Sequence, residues 1–343
     1  MRWWKRAFKR GRVASRDVDS ILRSALLAVL DRDLDRAEEL LSRAVRLDSH
    51  AVEPYLALAR LYRMRGEIGR AICIHQNLLL RSDLTGDQKA AALADLATDF
   101  RQGGFLQRAI ASYEEVLAHD PQHRQALRAV IPLLSSVRHY RRAIEFSRRL
   151  AKLEGRSSQA GESALLVEMA EAAQAEGRNE DARRALKRAL RKNPGAARGW
   201  IALGGIEAER GRSKAALAAW ARAPAIDRRC GPQVYPQLEA TYAALGRARE
   251  FEEYLRGLLS ERPDDVHARI ALARSLAARG EEADAIEELR QARKGSPENL
   301  ETRGALGRLL LAERREGEAT REYAELIDVL ERQGLLRERE KLV

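Results

Sequence analysis

One small residue returns along this chain at an interval close to 34 residues, and this recurrence constrains the fold more than any other feature. The nine aligned positions are Ala37, Ala71, Ala109, Ala143, Ala182, Ala216, Phe251, Ala285 and Ala319. The intervals between them are 34, 38, 34, 39, 34, 35, 34 and 34 residues. Because a methyl side chain at a fixed place in each period lets two helices cross closely, the pattern predicts a repeated helix pair.

Three further sets of residues keep the same register. Twelve residues before the recurring position, a small residue stands in seven units, whereas Ile131 and Glu239 replace it in two: Ala25, Ala59, Ala97, Ala170, Gly204, Ala273 and Gly307. Three residues further on, the side chain is large: Tyr62, Phe100, Leu134, Tyr242, Leu276 and Leu310. Turn glycines, which can adopt positive φ, separate the two helices: Gly66, Gly103, Gly104, Gly177, Gly211, Gly246 and Gly280.

A 34-residue period with these signature positions is typical of tetratricopeptide repeats. The predicted fold is all-α, a right-handed superhelical solenoid of about nine tetratricopeptide (TPR) helix-turn-helix repeats over residues 18–331. The expected repeat starts lie near residues 18, 52, 90, 124, 163, 197, 232, 266 and 300. Residues 1–16 are predicted to form a basic, Trp-rich amphipathic tail and residues 332–343 a C-terminal tail.

The two longest intervals predict polar loops over residues 81–89 and 154–163, which are rich in turn-forming residues. Pro132 falls inside the first helix of the fourth repeat, where proline should kink the helix or shift its start.

No catalytic, cofactor-binding or metal-binding residues are predicted from the sequence. We therefore expect a protein that is not an enzyme. The motifs of phosphate-binding loops, dinucleotide folds, zinc proteases and serine hydrolases are absent from the sequence. His119 and His123 flank Pro121, which indicates solvated loop histidines, and His75 stands where the repeat usually carries a packed aromatic. Cys73 and Cys230 are far apart in sequence and fit a reducing compartment.

The charge of the chain lies mostly at its start. The formal net charge is +11, of which residues 1–16 carry +7 and the other 327 residues +4. On a helix, the aromatic side chains of this tail share one face and its cations fall largely elsewhere: Trp3, Trp4 and Phe8, with Lys5, Arg6, Lys9 and Arg10. This pattern predicts contact with an anionic membrane surface. The alternatives are an RNA-binding arm, an Arg-rich transit peptide and a disordered start.

Helical spacing places a set of arginines on the concave face that the first helices are expected to line: Arg60, Arg63, Arg101, Arg274 and Arg308. Guanidinium groups grouped in this way suit an acidic segment of a partner protein. The alternative is that they are solvated arginines of an Arg-rich chain.

The segment "GEIGRAICIHQNLLLRSDLTGDQ" resembles the lipopolysaccharide assembly protein B family, in which a G-E-[VI]-x-R-A-I-x-I-H-Q-x-L run is followed by L-T-x-x-Q. A second, weaker match is "YPQLEATYAALGRAREFEEYLR" at 235–256. The resemblance implies a cytoplasm-facing inner-membrane adaptor that controls lipopolysaccharide synthesis. It implies that such a protein promotes destruction of the lipid A deacetylase by a membrane-anchored protease.

Two features of that family are not expected to transfer. Its members usually begin with a transmembrane helix and end in a rubredoxin-like zinc module with two C-x-x-C pairs. This chain begins with the basic Trp-rich stretch and has no cysteine after Cys230, so we expect it to bind no metal.

Together these features predict a non-catalytic TPR adaptor, cytoplasmic and peripherally associated with the inner membrane. Its expected partners are other proteins on the concave face and an anionic membrane surface at residues 1–16, with no specific nucleic acid. The alternatives are a general TPR scaffold for a secretion, motility or cell-envelope assembly, and an RNA-associated protein.

Overall fold

The computed structural model describes residues 17–335, which form helices joined by short turns. The chain divides into two compact units, the first ending at Leu165 and the second beginning at Leu166. No helix in the described part of the chain is both long and apolar enough to cross a membrane.

In the first unit, each pair of successive helices forms one repeat. Their bounds are α1 (17–30), α2 (Leu34–Leu47), α3 (Glu53–Met64), α4 (Ile68–Leu79), α5 (Gly86–Gln102), α6 (Leu106–His119), α7 (Arg124–Ser136) and α8 (Tyr140–Leu153). The next helix, α9 (Gln159–Ala175), contains the boundary between the units.

The second unit continues the same alternation of helices, with one interruption. Its helices are α10 (Asn179–Lys192), α11 (Ala197–Glu209), α12 (Ser213–Trp220), α13 (Arg222–Ile226), a 3₁₀ turn (Arg228–Cys230), α14 (Gly231–Ala244), α15 (Ala248–Glu261), α16 (Val266–Ala278), α17 (Glu282–Gly295), α18 (Leu300–Ala312) and α19 (Glu316–Arg332). The interruption falls at Ala221, because Pro224 has no N–H to donate to the carbonyl of Trp220.

The recurring alanine positions form the centre of the packing in both units. All nine, Phe251 included, have 0% of their surface exposed. Close packing also explains why glycine occupies the signature positions 204 and 307. A Cβ added at Gly204 would overlap the indole of Trp220, and one added at Gly307 would lie 2.8 Å from Cζ of Tyr323. The all-α repeat fold predicted from the sequence is therefore confirmed.

The turns between paired helices use a left-handed residue in most repeats. Six of the predicted glycines have positive φ, between 69° and 80°, whereas Gly103 does not. Arginine takes this conformation in three other repeats, at Arg32, Arg138 and Arg314.

The predicted loops are shorter than expected, because the extra residues lengthen helices instead. Helix α5 begins at Gly86 and α9 at Gln159, so only 81–85 and 154–158 lie outside helices. At α5 the cause is a capping box, in which the side chain of Thr85 accepts from the Gln88 N–H and the Gln88 side chain accepts from the Thr85 N–H. Pro132 does not move the start of α7, which begins at Arg124 and runs through the proline.

Candidate functional site

Two of the predicted site arginines lie in an ion network that joins α3 to α5. Arg60 places Nη2 at 2.6 Å from Oδ2 of Asp95, and Arg63 places Nη2 at 3.0 Å from Oδ1 of the same carboxylate. Arg63 also donates from Nη1 to Oδ1 of Asp99 at 2.7 Å and to the Asp95 carbonyl at 3.2 Å. Its side chain is 13% exposed. Arg60 and Arg63 therefore form ion pairs with carboxylates of the same chain. The sequence analysis did not predict these carboxylate partners.

A buried histidine extends this network into the core. His75 of α4 has no exposed surface, and its Nδ1 lies 2.5 Å from Oδ2 of Asp99, which is also fully buried. Its Nε2 has no hydrogen-bond partner among the described residues. This position agrees with the prediction that His75 is a packed core residue. The contact of its ring nitrogen with Asp99 was not predicted from the sequence.

Burial and hydrogen bonding act in opposite directions on these charges. Burial alone would raise the pKa of Asp95, but hydrogen bonds from Arg60 and Arg63 outweigh it and lower that pKa. Burial would lower the pKa of Arg63, and its hydrogen bonds to Asp95 and Asp99 raise it instead. Asp95 and Arg63 therefore stay ionised at neutral pH and tie two neighbouring repeats together.

Large apolar side chains on the first helices of the first two repeats are exposed. Leu26 and Leu30 of α1 are 63% and 77% exposed, and Met64 of α3 is 61% exposed. Leu26 is equivalent in repeat register to Arg60, and Leu30 to Met64, because each pair is 34 residues apart. We call the surface formed by Leu26, Leu30, Arg60, Met64 and Arg101 the first-helix face of the first unit.

The remaining predicted arginines are accessible. Arg101 at the end of α5 is exposed, with no ion pair among residues 17–335. In the second unit, Nε of Arg274 donates to Oε2 of Glu239 at 2.9 Å, while Arg308 is exposed on α18. Glu239, which replaces the usual small residue of its repeat, thus partners a predicted site residue.

Other predicted positions do not form a chemical site. His123 caps α7, since its Nδ1 accepts from the Ala126 N–H at 3.1 Å, and His119 closes α6. Within residues 17–335, no three His, Cys, Asp or Glu side chains group closely enough to bind a metal ion. The tail residues Trp3, Trp4, Lys5, Arg6, Phe8, Lys9 and Arg10 lie outside the described residues.

The first-helix face of the first unit has a mixed chemical character. It combines exposed apolar side chains with a fixed ion network and one unpaired guanidinium, the mixture that protein interfaces use. A tetratricopeptide array of this kind is a protein-interaction scaffold.

Comparison with known proteins finds relatives of this chain. The chain is similar to lipopolysaccharide assembly protein B of Escherichia coli strain K12, with 28% identity over 252 residues that cover 73% of this chain and 64% of the relative. The chain thus spans 64% of the length of that relative. The Haemophilus influenzae protein of the same name is 34% identical over 110 residues, 32% of this chain and 28% of that protein.

Among solved structures, the C-terminal part of a TPR repeat-containing protein from Cytophaga hutchinsonii gives a TM-score of 0.44. It is 13% identical and covers 83% of this chain and 99% of its own. The tetratricopeptide repeat model matches residues 22–85, 94–130, 167–232 and 241–299, which is more than half of the chain. With its repeat register, its buried alanines and this match to the family model, the chain belongs to the tetratricopeptide repeat family.

Proposed function

We propose that this protein is a non-catalytic adaptor that holds a partner protein on the first-helix face of the first unit. In this proposal the partner is the lipid A deacetylase, which the adaptor brings to a membrane protease and so regulates lipopolysaccharide synthesis. Similarity to lipopolysaccharide assembly protein B supports a role in lipopolysaccharide assembly. The deacetylase is the partner that the family resemblance of residues 66–88 implies.

The observation that carries the binding surface is the exposure of Leu26, Leu30 and Met64 on the first helices of adjacent repeats, where Leu30 and Met64 occupy equivalent positions. Apolar surface removed from water contributes about 25 cal/mol per Å². A partner segment that covers Leu26, Leu30 and Met64 would therefore bind mainly through burial of these apolar side chains. The exposed Arg101 would add a charge-assisted contact to an acidic residue of that segment.

The membrane contact belongs to the same proposal. We infer that the cations and tryptophans of residues 1–16 hold the adaptor at the cytoplasmic face of the inner membrane, where its partner and the protease would meet. Their effective concentration rises when one surface holds both.

The binding surface is tested by capture of purified deacetylase on immobilised protein. Leu30→Gln with Met64→Gln should weaken capture by about tenfold or more, because each substitution removes most of one apolar contact. Leu47→Gln with Leu80→Gln is the matched control, since both leucines are exposed in the same unit at the ends of second helices. Equal loss in both pairs, or no loss in either, would refute the assignment of this face.

A further inference from the structure

A basic cleft lies in the second unit, between α10 and α12, the second helices of adjacent repeats. Its free volume is about 310 Å³, and α11 forms its inner wall with Leu203 and Glu207. On α12 it is lined by Ala215, Ala218 and Ala219, whose short side chains leave the space open. All of its lining residues belong to the second unit.

Four cations and one carboxylate line this cleft, which gives a net charge of +3. The carboxylate is Glu207, which is buried and is shared by two arginines. Nε of Arg183 lies 2.5 Å from its Oε1, and Nη1 of Arg212 lies 3.5 Å from its Oε2. One buried carboxylate thus accepts a hydrogen bond from Arg183 and forms a longer ion pair with Arg212.

The other two cations, Lys187 and Arg222, are exposed and have no carboxylate partner among residues 17–335. The guanidinium of Arg222 lies 4.6 Å from the centre of the Trp200 ring. That ring is itself held by a hydrogen bond from its Nε1 to the Pro194 carbonyl at 2.8 Å. Arg222 is therefore positioned by a cation–π contact that leaves its N–H groups free to bind an anion.

We propose that this cleft binds an acidic segment of a partner protein, with carboxylate side chains on Lys187 and Arg222. Charge complementarity supports this occupant. Glu207 offsets only one of the two arginines that pair with it, and Lys187 and Arg222 add two unpaired positive charges to the cleft. A single-stranded nucleic acid is disfavoured, since bases need a free aromatic face and Arg222 covers that of Trp200. The proposal is independent of the deacetylase assignment and concerns a second surface of the scaffold.

The test is fluorescence anisotropy of a labelled peptide of ten alternating Glu and Ala residues with the full chain. Lys187→Glu with Arg222→Glu should weaken binding by about tenfold or more, because both substitutions reverse a contacting charge. The matched control is Arg249→Glu with Arg321→Glu, which changes net charge equally on exposed positions away from the cleft. It should change affinity by no more than about twofold, the scale of weak surface electrostatics.

A second variant, Ala218→Leu, narrows the cleft without changing charge and at an exposed position that tolerates a larger side chain. It should also weaken binding, which diffuse attraction to a basic protein would not explain. Equal affinity of the cleft and control variants would overturn the proposal. Unaltered binding of the peptide by Ala218→Leu would also overturn it. The same holds if a single-stranded RNA of equal charge binds more tightly than the peptide and loses affinity for the Lys187→Glu, Arg222→Glu variant.

Discussion

At the scale of single residues, the largest difference between sequence and structure concerns Arg60 and Arg63. Both arginines contact the carboxylate of Asp95 on the next repeat. Spacing within one helix cannot show which carboxylates the next repeat presents. Asp95 and Asp99 stand four residues apart on α5, and this acidic pair was the available signal. Reversing Arg63 to Glu would therefore place a carboxylate against two others and destabilise the fold, not only the binding face.

Replacing Asp95 by Asn should lower the free energy of unfolding by about 1–3 kcal/mol at pH 7, because the largely buried Arg63 loses one of its two carboxylates. The pKa of Asp95 is lowered in the folded state, so its contribution is complete above its ordinary value of about 4 and is lost as the pH falls through the folded value. The difference between wild type and variant should therefore shrink as the pH falls below about 4.

Urea unfolding at several pH values measures this difference. Glu115→Gln is the control, since Glu115 is exposed on α6 and has no ion pair among the described residues. A difference that stays constant down to strongly acid pH would contradict the ionised network.

At the scale of helices, the sequence predicted the packing positions better than the boundaries. The recurring alanines are buried because a methyl group lets the paired helices cross closely in eight of the nine repeats, and that preference is visible in the period itself. The longer intervals were less informative, since extra residues can form a loop or extend a helix. The Thr85 and Gln88 capping box shows why α5 is extended, and its T-x-x-Q pattern was present in the sequence.

Gly204 and Gly205 of α11 give a direct test of helix packing. Gly204→Ala should destabilise the protein by about 1–3 kcal/mol, because the new methyl group overlaps the buried indole of Trp220. Gly205→Ala is the neighbouring control, with no atom near its added methyl group. It should stabilise by up to about 1 kcal/mol through helix propensity. Thermal unfolding of both variants measures these changes in stability. If both substitutions stabilise the protein, Gly204 is not required for the close packing of α11 against α12.

At the scale of the whole molecule, the proposed role combines a scaffold and a surface contact. The repeat fold follows from the sequence because each repeat packs mainly on its neighbours, so local pattern determines it. The partner does not follow in the same way, because it depends on the few exposed side chains that packing leaves unconstrained, such as Leu30 and Met64.

The proposed membrane contact predicts that the full chain floats with vesicles containing anionic lipid at low salt. About 0.5 M salt should release it, because screening weakens the attraction of roughly 1 kcal/mol for each basic residue near the surface. A chain without residues 1–16 should stay in the soluble fraction at both salt concentrations. Flotation of that shortened chain would place the membrane contact elsewhere.

The central claim, that this protein speeds the loss of the lipid A deacetylase by holding it, is tested most directly by a pulse-chase of that enzyme. Depletion of this protein should lengthen the deacetylase half-life, and the wild-type chain should restore it. The Leu47→Gln, Leu80→Gln control should restore it as well, whereas Leu30→Gln with Met64→Gln should fail, because the first-helix face of the first unit no longer holds the enzyme. A deacetylase half-life unaltered by depletion would contradict the account.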